Sequence, residues 1–308
     1  MYTFVDLHCD TITSLYEKNQ KLTKNNLHID IQKLTKYKNP TQVFAIWLSQ
    51  NYYNNAFNIT NKIIDFFEQQ IEQNSQYIKK TICYNDIIKD DKINAMLSIE
   101  GGESIENNLD NIYHFYKRGV RILTLCWNYE NNLGYGAFTK NNEGLKPFGK
   151  EAVKIMNKIN MIIDVSHLNE AGFWDLYKIS KKPFIATHSN AYSICNHYRN
   201  LKDDQLKAIK EVGGIVGINL YPKFLTDKNQ ATEEDIFKHI DYIANVIGID
   251  QICLGSDFDG IDETPLNVED ISKYSNLFKK MQNIYGKTIL QKITYENFYN
   301  FCKKNLKC

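Results

Sequence analysis

Apolar residues recur along this chain in two alternating ways, as short unbroken runs and as longer stretches in which they return every three or four positions. The unbroken runs read as fully buried strands and the spaced ones as helices with one apolar face. Strands are predicted at residues 3–7, 43–48, 95–99, 120–126, 161–165, 184–186, 215–219 and 251–254. Helices are predicted between them at 58–76, 105–118, 148–159, 169–178, 203–211 and 233–247, with two more at 268–285 and 289–304. The polar stretch 16–39 holds one weak helix or none, and the Asn- and Gly-rich stretch 128–144 reads as a long loop of the kind that carries function. Eight short apolar strands separated mostly by helices, without a linker-like break, predict one α/β domain spanning 1–308. Its expected form is a single (β/α)8 TIM-type barrel with C-terminal helices, and a doubly wound open sheet is the alternative.

Polar residues interrupt this pattern at the C-terminal ends of five of the eight strands. His8 and Asp10 follow the first strand, Glu100 closes the third, His167 the fifth and His188 the sixth, and Asp257 follows the eighth. In a (β/α)8 barrel these ends converge on one mouth, so three imidazoles and three carboxylates can share a cavity. Residues two apart on an extended segment face the same side, which lets His8 and Asp10 point together. Singly, each is more simply a hydrogen-bonded loop residue, and Asp257 or Asp259 a turn former. Together they form a mixed nitrogen and oxygen set that suits zinc. Six such groups exceed the three protein ligands of a mononuclear catalytic zinc, so two zinc ions per chain are expected, with Glu100 between the His8/Asp10 and His167/His188 pairs as the bridge.

Composition narrows the partners. Lys plus Arg is 37 against 36 for Asp plus Glu, a net charge of +1, so no global field favours nucleic acid or an anionic membrane. No stretch approaches the length of a membrane span and the N-terminus lacks a secretory pattern, so a cytoplasmic protein with a small, locally read ligand is expected. The seven cysteines, Cys9, Cys83, Cys126, Cys195, Cys253, Cys302 and Cys308, are scattered without a C-x-x-C pair and read as reduced core thiols.

Six segments carry a family resemblance: Asp6-Leu7-His8-Cys9-Asp10-Thr11, Glu100-Gly101-Gly102, Asp164-Val165-Ser166-His167, Thr187-His188-Ser189-Asn190-Ala191-Tyr192-Ser193, Arg199-Asn200 and Gly255-Ser256-Asp257-Phe258-Asp259-Gly260. In this order, and nearly end to end, the chain resembles the membrane (renal) dipeptidase family of zinc peptidases within the amidohydrolase-like barrel superfamily. The resemblance implies a zinc-dependent dipeptidase in which His8 and Asp10 hold one zinc, His167 and His188 the other, and Glu100 bridges them. It further implies Arg199 as the binder of the substrate's free C-terminal carboxylate, Asp257 as the acid/base residue beside a water activated by both metals, and a possible homodimer. Trp127 stands where vertebrate members have a His thought to polarise the scissile carbonyl, so that task is expected to fall to a zinc ion or another donor. Another metal-dependent hydrolase on the same barrel, such as an amidase, lactonase or deaminase, and a metal-stabilised protein without catalysis are the alternatives.

Overall fold

A computed structural model describes residues 1–88 and 90–307. Eight parallel strands run β1 (Val5–Cys9), β2 (Thr41–Trp47), β3 (Ile93–Glu100), β4 (Val120–Thr124), β5 (Ile162–Asp164), β6 (Phe184–Ile185), β7 (Val216–Ile218) and β8 (Ile252–Leu254). They pair in sequence order from β1 to β6, and β1 pairs with β8 and β8 with β7. A parallel bridge between Ala186 and Val216 joins β6 to β7 and closes the ring, so the barrel is the architecture and the open sheet is not.

Side chains alternate between two apolar layers, as the period of a strand requires. Phe44, Leu97, Leu123, Ile163 and Leu254 face the surrounding helices, where they pack with Phe67, Phe115, Met156 and Ile240. Val5, Leu7, Val43, Met96, Ile122, Ile162, Ile185 and Cys253 form a second cluster at the barrel's lower end, plugged by Phe298, Phe301 and Leu306 from the C-terminal segment. Because the period is two, the face that holds Met96, Ile162 and Ile185 continues upward into Glu100, Asp164 and Thr187. An apolar floor and a polar mouth are thus written into alternate positions of the same strands.

Several elements differ from the sequence expectation for identifiable reasons. The stretch after β1 contains a helix at Thr11–Lys18, whose buried face rests on only Ile12 and Leu15 among apolar residues and so gives little periodic signal. A short strand Ile78–Lys80 adds to the lower part of β3, although two of its three residues are lysines. The helix expected at 105–118 divides into a turn at Gly102–Ile105 and a helix at Asp110–Lys117, because Glu106 adopts a left-handed φ of 51°. The first C-terminal helix, Tyr274–Gln291, is broken at Gly286, whose φ is 78°. Cys9, Cys126, Cys195, Cys253 and Cys302 are buried free thiols, whereas Cys83 is disulfide-bonded, which corrects the expectation of reduced thiols throughout; Cys308 lies outside the described residues. Among the described residues, no helix is long and apolar enough to cross a membrane.

Candidate metal centre

The six polar residues singled out at the strand ends meet at the barrel mouth. Glu100, at the end of β3, stands between two sets of donors. Its Oε2 lies 3.5 Å from His8 Nε2, which in turn is 3.5 Å from Asp10 Oδ2. Its Oε1 lies 2.8 Å from His167 Nε2 and 3.4 Å from His188 Nε2, and those two nitrogens approach to 2.8 Å. The sets His8/Asp10/Glu100 and Glu100/His167/His188 each bring three ligand atoms within 4.8 Å of one another. One carboxylate therefore offers a different oxygen to each group.

A divalent cation fits these residues on chemical grounds. His8 Nε2 and Asp10 Oδ1 are buried and have no hydrogen-bond partner, a costly state for polar atoms unless a further group completes them. Burial and the charge of Glu100 push Asp10 up to about 7. Burial likewise raises Asp257 to about 6, with Glu100 adding to the effect. Around His8, burial opposes the charged form but Glu100 and Asp10 outweigh it and push its pKa well up. On the other side, burial and Arg199 hold His167 down to about 4, and burial with His8 holds His188 well below its ordinary value. The cluster thus combines one imidazole, His8, that favours its charged form, two that are held neutral, and carboxylates that repel one another, and two positive ions would relieve both the repulsion and the orphaned atoms.

Asp257 follows β8 in the left-handed region, with φ 64°, and its N–H donates to the carbonyl of His8. Its Oδ1 is 4.0 Å from His8 Nε2, and its Oδ2 accepts a 2.9 Å hydrogen bond from Asn219 Nδ2 at the end of β7. His167 and Asp259 share that backbone conformation, with φ of 68° and 69°. Positive φ at non-glycine residues costs on the order of 1–3 kcal/mol each and clusters at functional positions. Arg199 reaches the same cavity from the loop after β6. It is only 4% exposed, its Nε has no partner, and among the described residues no carboxylate forms an ion pair with it. The guanidinium's one hydrogen bond among the described residues, 3.4 Å to the carbonyl of His188, leaves it buried without a counter-ion.

These groups open into a cavity of about 580 Å³, also bounded by Trp47, Trp127, Tyr198 and Phe224. Trp127 stands edge-on to Trp47 at 5.0 Å and to Tyr129 at 5.5 Å, as part of an aromatic rim that continues through Phe138 to Tyr198. Sequence reasoning missed the supporting groups. Asp6 accepts from the Ser256 N–H and hydroxyl, Asn128 Oδ1 meets His167 Nδ1 at 2.8 Å, and Asn219 holds Asp257. Only the regular polar interruption of inward strand positions could have flagged Asp164 and Thr187.

Comparison with known proteins bears on the family and the fold. The model of the membrane dipeptidase family, peptidase family M19, matches residues 1–306. An uncharacterized Klebsiella pneumoniae protein from the pqqA 5′ region is 35% identical over 227 residues, which cover 70% of this chain and 83% of that protein. An uncharacterized dipeptidase of Schizosaccharomyces pombe is 31% identical over 274 residues, 82% of this chain and 66% of its own length. Among solved structures, a Rhodobacter sphaeroides metallopeptidase liganded with a phosphinate mimic of the dipeptide L-Ala-D-Ala superimposes with a TM-score of 0.92 at 24% identity, covering 99% of each chain. The dipeptidase AC of family M19 gives a TM-score of 0.93 at 25% identity, covering 100% of this chain and 99% of its own.

Proposed function

The chain belongs to the membrane dipeptidase family of metallopeptidases, and from that premise we propose that it hydrolyses dipeptides bearing a free C-terminal carboxylate, with two zinc ions at the barrel mouth. His8 and Asp10 would hold one ion and His167 and His188 the other, with Glu100 standing between the two sets. Zinc there supplies a Lewis acid for the scissile carbonyl and makes water acidic enough to attack near neutral pH. The chain's own residues do the rest. Arg199 clamps the substrate carboxylate through charge-assisted hydrogen bonds that its planar fork can make in pairs, placing the peptide bond over the cluster. Asp257, turned into the cavity by its left-handed backbone and steadied by Asn219, takes the proton from the attacking water and hands it to the leaving amine. The aromatic rim covers the substrate and limits access of bulk water.

The observation that carries this reading is the pairing of a Glu100-centred donor cluster with a buried guanidinium that has no counter-ion in the same cavity. Such a guanidinium awaits an anion, and a free α-carboxylate one residue from the reacting carbonyl is the anion a dipeptide brings. The test is a dipeptide panel varied in side chain and stereochemistry, run beside the matching amides. Free acids are expected to be cleaved and amides poorly. Arg199→Lys is expected to cost about 1.5–3 kcal/mol in kcat/KM. Equal turnover of acids and amides would remove the clamp and favour another hydrolase chemistry on the same barrel.

A further inference from the structure

We propose that Asp164, acting through the hydroxyl of Thr187, fixes His188 in the tautomer that leaves its Nε2 lone pair free to face Glu100. The inference rests on the reading of His188 as a metal ligand, and it assigns work to two residues that lie outside the ligand set.

Asp164 ends β5, inside the barrel and fully buried, one layer above Ile162. Its carboxylate lies close enough to His8 and His188 for the three to qualify as a ligand group on distance alone. Its hydrogen bonds exclude that role. Oδ1 accepts from the N–H of Ser166 at 3.0 Å and of Thr187 at 2.9 Å, and Oδ2 accepts from the hydroxyls of Thr124 and Thr187, both at 2.6 Å. A carboxylate offers about four lone-pair sites, and all of them are taken. Asp164 is therefore a positioning residue.

What it positions follows from counting protons. The Thr187 hydroxyl has one, and a carboxylate with every site accepting can only receive it. The Thr187 oxygen is then an acceptor toward its other neighbours, His188 Nδ1 at 2.8 Å and, at 3.4 Å, the Ser166 hydroxyl. Nδ1 must carry the imidazole proton, which leaves Nε2 bare where it faces Glu100 Oε1 at 3.4 Å. His167 is held less strictly, since its Nδ1 partner is the amide of Asn128, a side chain able to present either an oxygen or an NH₂. A carboxylate has no such freedom. The barrel also makes room for this relay: a Cβ at Gly217 on β7 or at Gly255 after β8 would sit 2.0 and 1.8 Å from the carbonyl oxygen of Thr187. The next two strands round the barrel, β7 and β8, both give up a side chain beside the Thr187 backbone.

Three variants separate the relay from a general structural role. Thr187→Val keeps the shape and removes the hydroxyl, and Thr187→Ser restores it. In Asp164→Asn the oxygen must stay on the side of the two backbone N–H groups, so the NH₂ takes the other side and donates to Thr187. That turns the hydroxyl proton onto His188 Nδ1 and moves the imidazole proton to Nε2. Zinc content and chelator competition on purified holoenzyme should show about 10- to 100-fold weaker retention of one zinc in Thr187→Val and Asp164→Asn, with Thr187→Ser near wild type. Should Asp164→Asn fail to fold, the Val and Ser pair decides. A second readout uses ¹⁵N-histidine labelling of the zinc-loaded protein, in which the His188 proton is expected on Nδ1. Wild-type zinc affinity in Thr187→Val, or a His188 proton on Nε2, would overturn the relay. Unchanged zinc content in His188→Ala would instead overturn the ligand assignment on which it rests.

Discussion

The two ends of this barrel are built from the same strands and do opposite work. At the floor, inward residues such as Leu7, Val43, Met96, Ile122 and Ile185 fill the interior and are sealed by Phe298 and Phe301. Two to four residues further along, the same inward row carries Glu100, Asp164 and Thr187, and beyond it come His167, Asp257 and Asp259 in left-handed conformations. The floor has apolar partners for its groups. The mouth has carboxylates crowded against one another, orphaned donors and acceptors, and a buried cation without an anion. Stability gathered by packing at one end is what allows the other to be held in an arrangement that is unfavourable until metal and substrate complete it.

If that division is right, a mutation at the mouth should damage chemistry without the fold, and a mutation at the floor the reverse. The largest effect is expected at Asp257. Asn there is nearly isosteric but cannot accept a proton, so Asp257→Asn should lower kcat by about 10²- to 10⁴-fold, roughly 3–5.5 kcal/mol of barrier, with melting temperature and zinc content retained. Loss of a zinc together with the rate would make Asp257 a ligand, and unchanged turnover would remove it from the mechanism. At the floor, Phe298→Ala empties a fully buried ring and should cost about 3–5 kcal/mol of unfolding free energy. The kcat of its folded fraction should match wild type, and a matching drop in kcat would show that the two ends are coupled.

A smaller effect sharpens the contrast through His239, on the helix Glu233–Ile247, which braces the loops after β6 and β7. Its Nδ1 accepts from the Ala191 N–H and its Nε2 bonds the Leu225 carbonyl, an arrangement that requires the neutral ring. Burial lowers its pKa to about 4 from an ordinary 6.5. Protonation therefore favours the unfolded chain. The stability His239 contributes is complete above pH 6.5 and is lost as pH falls toward about 4, a window worth about 3 kcal/mol. Denaturant unfolding of wild type and His239→Gln between those limits checks this. The wild type should lose more stability on acidification than the variant, and parallel curves would contradict it.

The floor was more legible in the sequence than the mouth's support. Buried parallel strands announce themselves as apolar runs, and all eight appear where such runs stand. The strand-end residues His8, Asp10, Glu100, His167, His188 and Asp257 were also visible, because each breaks an apolar run at its C-terminal end. The groups behind them were not. Asp6 and Ser256 bond across 250 residues of sequence, and Asn219 reaches Asp257 across 38, so no local spacing connects them. Asp164 and Thr187 looked like ordinary polar residues at strand ends until the inward row was identified. The helix Thr11–Lys18 escaped for a related reason: its buried face includes Thr11 and Thr13, which are held by the mouth rather than by an apolar stripe.

Whether Glu100 joins two metal positions is decided by the metal content of active protein. Elemental analysis of purified, catalytically active protein should find about two zinc per chain, and Glu100→Ala, lacking the shared carboxylate, should hold fewer and lose turnover with them. One zinc per chain in fully active protein, or undiminished zinc in Glu100→Ala, would contradict the account.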